Sequence, residues 1–347
     1  RTVTFVPMRS PSPDIGFFLR HLTAKRRRNA WNMLRDYYRS KRSGKANISA
    51  MPLALSLEPT TACNLGCPEC PSGLKAFSRP TGNLKTEVLD RLLDEMGDTL
   101  LYLTFYFQGE PFIHSHMTEL ISKASAKGIY TATSTNAHFI TPSKAEEIVR
   151  SGLNRLIISI DGTTQEVYEQ YRRRGNLEKV IAGTKEILAA RKRLGSTFPR
   201  VYFQFLVVRP NEHQIPEIKA LGKRLGVDKV LLKTAQVYDY ENGNDLIPTI
   251  AKYARYKQTA TGKWVIKNKL ENHCWKMWHS CVITWDGRVV PCCFDKDAKH
   301  LMGKIDVRSF RDVWFGRRYN AFRGAVMHSR KDIDICKNCT MGTKVWS

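Results

Sequence analysis

From residue 52 to about 233, short apolar runs alternate with stretches whose apolar positions recur every three to four residues. The runs at 53–57, 101–107, 130–134, 155–160, 201–208 and 229–233 are rich in Val, Ile, Leu and aromatic residues and read as buried strands. The stretches at 87–96, 117–127, 144–151, 177–193 and 215–225 carry the helical period. Gly128, Gly152, Gly195 and Gly226 stand near their ends, where a left-handed residue commonly closes a helix. Strands alternating with helices predict a parallel α/β sheet. Six such units fit this length; the eight of a closed barrel would need more chain.

Elsewhere the pattern changes. Residues 234–272 are polar, with Asn242-Gly243-Asn244 as a turn signal, and read as a bridge. Residues 273–347 hold short strands on either side of a hairpin turn at Trp285-Asp286-Gly287-Arg288. Residues 1–51 form a basic arm in which Trp31, Leu34 and Tyr38 fall at helical spacing, an apolar stripe. The expected organisation is therefore arm 1–51, barrel-like domain 52–233, bridge 234–272 and C-terminal module 273–347.

Composition changes this picture little and charge changes it more. Hydrophobic residues make up 42% of the 347 and aromatics 10%, ordinary for a globular protein. No run approaches a membrane span, and the N-terminal region shows no compact apolar leader, so the cytoplasm is the expected location. The net charge is +24, and residues 1–50 hold twelve Lys and Arg against two Asp. Such asymmetry suits an anionic membrane surface, an acidic partner or nucleic acid. For residues 17–42, with Lys25-Arg26-Arg27-Arg28, the readings are a packed helix with a solvated basic face, or peripheral docking to an anionic membrane surface or acidic partner. An RNA-modifying or nucleic-acid-binding protein is the competing class.

The chemistry begins at Cys63-Asn-Leu-Gly-Cys67-Pro-Glu-Cys70, three thiols in eight residues. Three thiolates on a four-iron cube leave one iron open, and an open metal position is what catalytic sites keep. A zinc knuckle or a redox pair are the alternatives; the first lacks a nearby fourth ligand before His114, and the second leaves Cys63 idle. Nine Cys, an odd number, argue against a disulfide framework.

The run Leu57-Glu58-Pro59-Thr60-Thr61-Ala62-Cys63-Asn64-Leu65-Gly66-Cys67-Pro68-Glu69-Cys70 resembles the signature of the radical S-adenosylmethionine (SAM) enzymes. The resemblance implies a partial (β/α)6 TIM-like barrel and a [4Fe–4S] cluster on Cys63, Cys67 and Cys70 whose open iron takes SAM. It also implies reductive cleavage of SAM to a 5′-deoxyadenosyl radical that abstracts hydrogen from a substrate, fed by a reductant such as flavodoxin or ferredoxin. Gln108-Gly109-Glu110-Pro111 looks like the family's Gly-Gly-Glu-Pro turn with Gln108 in the first Gly place. Ser134-Thr135-Asn136 and Ser159-Ile160-Asp161-Gly162 resemble its later strand ends, with Ala137 where Gly is usual. By this resemblance Gln108, Gly109, Glu110, Pro111, Ser134, Asn136, Ser159 and Asp161 contact SAM. Arg172, first of three successive Arg, is the candidate for the SAM carboxylate. Gln204, and Asn211 beyond it, lie near the expected adenine contacts; ordinary polar rim residues are the alternative.

Six Cys lie in the last quarter: Cys274, Cys281, Cys292, Cys293, Cys336 and Cys339. With the hairpin and Gly303-Lys304-Ile305…Trp314 they resemble the SPASM extension of radical SAM enzymes, which holds auxiliary [4Fe–4S] clusters. Two fully ligated clusters would need eight thiols, so one auxiliary cluster on Cys274, Cys292, Cys336 and Cys339 is expected, with zinc on the same four as the alternative. Cys281, beside Val282 and Ile283, reads as a buried apolar thiol; adjacent Cys292 and Cys293 cannot easily share one cube, and either could be the ligand. The reading is an oxidoreductase or maturase acting on a peptide, protein or sugar-type substrate by dehydrogenation, crosslinking or epimerisation.

Overall fold

The computed structural model describes residues 13–342; the ends of the expected arm and C-terminal module lie outside the described residues. Six parallel strands form the frame: β1 (Ala54–Leu57), β2 (Tyr102–Thr104), β3 (Tyr130–Thr135), β4 (Arg155–Ser159), β5 (Arg200–Val207) and β6 (Lys229–Thr234). Helices Thr86–Met96, Met117–Ala126, Pro142–Arg150, Leu177–Arg193 and Ile215–Leu225 cross between them. Alternation along β5 shows how the two faces divide. Val201, Phe203, Phe205 and Val207 are buried in the main core, while Tyr202, Gln204 and Leu206 are half-exposed on the other face. The fold class is therefore the parallel α/β one read from the sequence, a partial barrel with helices crossing between its strands.

The bridge carries more structure than expected. It contains a hairpin, β7 (Tyr256–Gln258) and β8 (Trp264–Ile266). Tyr256 packs there with Val237 and Ile247 against Leu65, Cys67 and Tyr171. Such short strands, split by polar residues, leave too little apolar pattern to read in advance.

The C-terminal module is continuous with the barrel. Strand β9 (Ser280–Ile283) lies parallel to β1, with Ala54 opposite Ser280, and β10 (Arg288–Val290) and β11 (Gly303–Lys304) follow antiparallel. One nine-stranded sheet results, in the order β11-β10-β9-β1-β2-β3-β4-β5-β6. A buried ion pair locks the junction: Arg79 donates to both carboxylate oxygens of Glu58 at 2.8 and 2.5 Å, the Trp285 N–H donates to Glu58, and Arg79 Nε donates to the Lys296 carbonyl.

The described part of the arm is two packed helices, α1 (Pro13–His21) and α2 (Ala24–Ser43). The first closes the N-terminal end of the barrel: Asp14 accepts from Tyr130 at 2.7 Å and from Arg155 at 2.5 Å, and Phe18 stacks on the Tyr130 ring at 5.0 Å. In α2 the stripe expected at Trp31, Leu34 and Tyr38 is packed only at Leu34. Met33 and Tyr37 are buried against Trp275, Trp278 and Met327, whereas Trp31 and Tyr38 are 70% and 56% exposed. The helix turns the face that the module's tryptophans complement, and sequence spacing alone cannot choose between the two. Arg26, read as part of a charge run, points inward and donates to the carbonyls of His21, Gly97, Lys127 and Gly128.

Candidate active site

The three cysteines lie on the loop leaving β1, at the C-terminal end of the barrel where parallel α/β enzymes assemble their sites. Backbone contacts set the loop's shape. The Gly66 N–H donates to Arg173 O at 2.9 Å, Arg174 Nη2 donates to Leu65 O at 2.6 Å, and the Leu65 N–H donates to Cys63 Sγ at 3.5 Å. Burial pushes the Cys63 thiol up to about 11 and raises Cys67 as well. Burial thus disfavours the free thiolates, a cost that a bound metal would offset, and at Cys67 the Arg172 guanidinium works in the same direction as the metal.

The turn after β2 presses on this loop. Gly109 donates its N–H to Ser72 Oγ at 2.9 Å, and Glu110 its N–H to Ala62 O at 2.7 Å. Gly109 has φ +77°, and a Cβ there would collide with the Thr60 and Ala62 carbonyls, so only glycine fits. The Glu110 carboxylate accepts from Thr135 Oγ1 at 2.7 Å, Asn136 N at 2.7 Å and Phe112 N at 3.2 Å. Burial nonetheless lifts its pKa to about 6, the hydrogen bonds pulling the other way.

A cavity of about 220 Å³ opens above these groups. Cys63, Cys67, Cys70, Gly109, Glu110, Ser134, Asn136, Ser159 and Arg172 line it, together with Tyr106, Phe107, Thr135 and Tyr171, which the sequence reading did not single out. Gln108 and Pro111 are buried beside the turn, and Gln204 stands half-exposed on β5 in register with Ser159. Asp161 lies beneath, fully buried, accepting from Leu206 N at 2.6 Å and Arg172 Nε at 2.5 Å. Asn211 is committed to the backbone: it donates to Asp161 O and Leu206 O and accepts from Val208 N, and so braces the fifth strand end. Among the three arginines only Arg172 enters the cavity, because Arg174 grips Leu65 O. Tyr106 and Phe107 escaped notice because aromatic residues at a strand end look like core. Asn64, which accepts from Asn136 Nδ2 at 2.8 Å, carries no signal beyond its place in the loop.

The second cysteine set gathers around Arg330, which is 1% exposed. Its Nη2 donates to Cys339 Sγ at 3.2 Å and to Met341 O, and Nη1 donates to His273 O. Burial raises Cys274, Cys292 and Cys336, the last to about 11, while Arg330 draws Cys274 and Cys336 back down. Cys274, Cys336 and Cys339 influence one another electrostatically, and Cys292 feels Cys274 and Cys339. Gly342 packs so closely on Cys274 Sγ that a Cβ would strike it. Three buried thiols around a guanidinium, with the half-buried Cys292 near enough to Cys274 and Cys339 to feel both, fit a thiolate-ligated cluster. Among the described residues no three His, Cys, Asp or Glu side chains converge as tightly as a single ion requires, and a four-iron cube spreads its ligands more widely. Cys281 sits apart in β9 opposite Leu55, its pKa raised by burial. Cys293 packs, as Phe107 does, on the apolar cluster of Val282, Val290 and Ala298.

Residues 57–218 match the model of the radical SAM superfamily, and residues 274–340 match SPASM, an iron–sulfur cluster-binding domain. The chain belongs to the radical SAM superfamily and carries a C-terminal SPASM domain. It is a radical SAM enzyme. It is 26% identical over 304 residues to the tungsten-containing aldehyde ferredoxin oxidoreductase cofactor-modifying protein of Pyrococcus furiosus, covering 78% of this chain and 82% of that one. It is 28% identical over 321 residues to the PqqA peptide cyclase of Gluconobacter oxydans, covering 86% of each. The crystal structure of Streptococcus suis SuiB bound to its precursor peptide SuiA superposes with a TM-score of 0.61 at 15% identity, over 99% of this chain and 80% of that one, a likeness of fold. Among the described residues of this radical SAM protein no helix is long and apolar enough to cross a membrane.

Proposed function

We propose that this enzyme cleaves SAM reductively and abstracts a hydrogen atom from a C–H bond of a peptide or protein substrate, with one auxiliary [4Fe–4S] cluster on Cys274, Cys292, Cys336 and Cys339. The observation that carries this reading is a shared wall. Phe107 lines the cavity above Cys63, Cys67 and Cys70, and it packs on the same apolar cluster, Val282, Val290 and Ala298, as Cys293, the neighbour of Cys292. The two cysteine sets thus flank one region, as a substrate radical passing an electron to a second cluster requires.

When bound, the first cluster and SAM would supply a 5′-deoxyadenosyl radical. Cys63, Cys67 and Cys70 hold the iron and leave a position for SAM. Glu110 receives its ammonium group, an ionic hydrogen bond in a buried site. Arg172, steadied by Asp161, offers further N–H groups to its carboxylate. Ser134, Asn136 and Ser159 supply hydroxyl and amide groups to the remaining polar edge, with Gln204 next to them. Tyr106 and Phe107 bound the space left for substrate.

The relatives named for peptides favour a peptide or protein over a sugar-type substrate. The reductant is of the flavodoxin or ferredoxin type, and a reducing cytoplasm suits the exposed iron. The nucleic-acid reading fits less well. The arginine-rich outer face of α2 belongs to a helix anchored at Gly97, Lys127 and Gly128, near the N-terminal ends of the strands and far from the cavity.

Anaerobic reconstitution tests the proposal. Iron and sulfide near eight per chain support two cubanes; about four refute the auxiliary cluster, and about twelve revive Cys281 and Cys293 as ligands. No 5′-deoxyadenosine from SAM and a strong reductant would overturn the central claim.

A further inference from the structure

We infer that the outer face of α2 docks an acidic one-electron carrier protein of the flavodoxin or ferredoxin class, and that Trp275, Tyr37 and Tyr38 lead from the auxiliary cluster to it. The inference rests on the proposed auxiliary cluster at Cys274.

A row of rings joins that cysteine to solvent. Trp275 follows Cys274 in the chain and is 2% exposed. Its ring centroid lies 5.1 Å from that of Tyr37, which is buried and lies 5.4 Å from that of Tyr38. Tyr38 is among the exposed aromatics of α2, so the row ends at the surface. Steps of this length between π systems lie well inside the range over which electrons tunnel within a turnover. Burial and the neighbouring Cys274 both act on Tyr37, whose hydroxyl is fixed by His273 Nδ1 at 3.0 Å.

The surface around Tyr38 is strongly basic. Arg27, Arg28, Arg35, Arg39 and Arg42 are all exposed and, at helical spacing, share one side of α2 with Trp31 and Tyr38. The one acid in α2, Asp36, is buried on the other side and accepts from Ser49 N and Oγ at 2.6 and 2.7 Å. A face of this kind steers and orients an acidic protein.

A membrane fits it less well. An interfacial helix inserts a continuous apolar face; in α2 Met33 and Tyr37 are covered by Trp275 and Trp278, and the exposed Trp31 and Tyr38 are interleaved with the arginines. Nor would a lipid surface or an RNA make use of a ring path to Cys274. The step itself forms and breaks no bond: the oxidised carrier gains one electron, and the reduced auxiliary cluster loses one.

The test uses the reconstituted full chain with an acidic flavodoxin as the probe. Dithionite-reduced protein is mixed with oxidised flavodoxin in a stopped-flow instrument, and affinity is measured separately at low and moderate salt. Arg39→Glu/Arg42→Glu is expected to weaken binding at least tenfold and to flatten its salt dependence. Tyr38→Leu is expected to keep the affinity within twofold yet slow electron transfer at least tenfold, and Tyr38→Trp to restore it. Affinity and rate unchanged by the charge reversal overturn the inference. So does a charge reversal that abolishes binding to anionic vesicles or RNA while flavodoxin binding persists. Iron near four per chain would instead remove the auxiliary cluster and the inference with it; iron near eight with indifferent docking removes the docking alone.

Discussion

Arg172 donates from Nε to Oδ2 of the fully buried Asp161 at 2.5 Å, while its Nη1 reaches Cys67 Sγ at 3.8 Å. One guanidinium thus joins the fourth strand end to the cluster loop. Burial raises the Asp161 pKa, and the charge of Arg172 opposes that rise. Removing one partner of such a pair strands the other, so Asp161→Asn is expected to destabilise the protein by about 3–5 kcal/mol. It should also weaken SAM binding at least tenfold by releasing Arg172. Denaturant melts and equilibrium dialysis with SAM check both; a shifted melt with unchanged SAM affinity would leave Arg172 a purely structural role.

Glu110 gives a pH dependence with a definite sign. Its folded pKa, raised to about 6 mainly by burial, lies above the ordinary carboxylate value. The fold therefore favours the protonated form, and this contribution is full below the unfolded value and is lost as pH rises through about 6. The SAM-free protein should lose about 2 kcal/mol across that window, and Glu110→Gln should flatten the curve. SAM affinity should run the other way, rising as Glu110 ionises to meet the ammonium. Melts and SAM titrations between about pH 4 and about pH 8, a range that spans the unfolded and the folded values, read both trends.

Cys281 and Cys292 should separate cleanly by iron content. Cys292→Ala is expected to remove roughly half of the iron after reconstitution and to leave the SAM-cleaving cluster in place. Cys281→Ala should keep the full complement and cost only about 1–2 kcal/mol of core packing. Iron analysis with circular-dichroism melts distinguishes the two.

Ala137 is strained. Its φ is +61° at the end of β3, a left-handed conformation that costs a residue with a Cβ about 1–2 kcal/mol. Glycine relieves this at some entropic cost in the unfolded chain. Ala137→Gly should therefore raise stability by up to about 1 kcal/mol, and Ala137→Val should lower it by more than that. Thermal melts of the two variants decide the sign.

Much of the barrel was legible beforehand because its signals are local. Short apolar runs, a three-to-four-residue period between them and glycines at the helix ends set six units, and β5 and its flanking helices fall within a residue of expectation. Cys63, Cys67 and Cys70 were equally plain, since their spacing is itself the signal. Tyr106 and Asn64 were not, because nothing near them in the chain distinguishes them from core or loop residues.

By itself, then, the sequence determined the parallel α/β frame, the two cysteine sets and the basic character of the arm, all properties of neighbouring residues. The tertiary structure decided the relationships between distant ones. It joined β9 to β1 and made one sheet of two modules, a pairing of edges that no local period encodes. It turned Arg26 inward to four carbonyls while its neighbours stayed in solvent. It also rolled α2 so that Tyr37 meets Trp275, because burying Met33 and Tyr37 against the module's tryptophans removes more apolar surface from water than the stripe at Trp31 and Tyr38 could find a partner for.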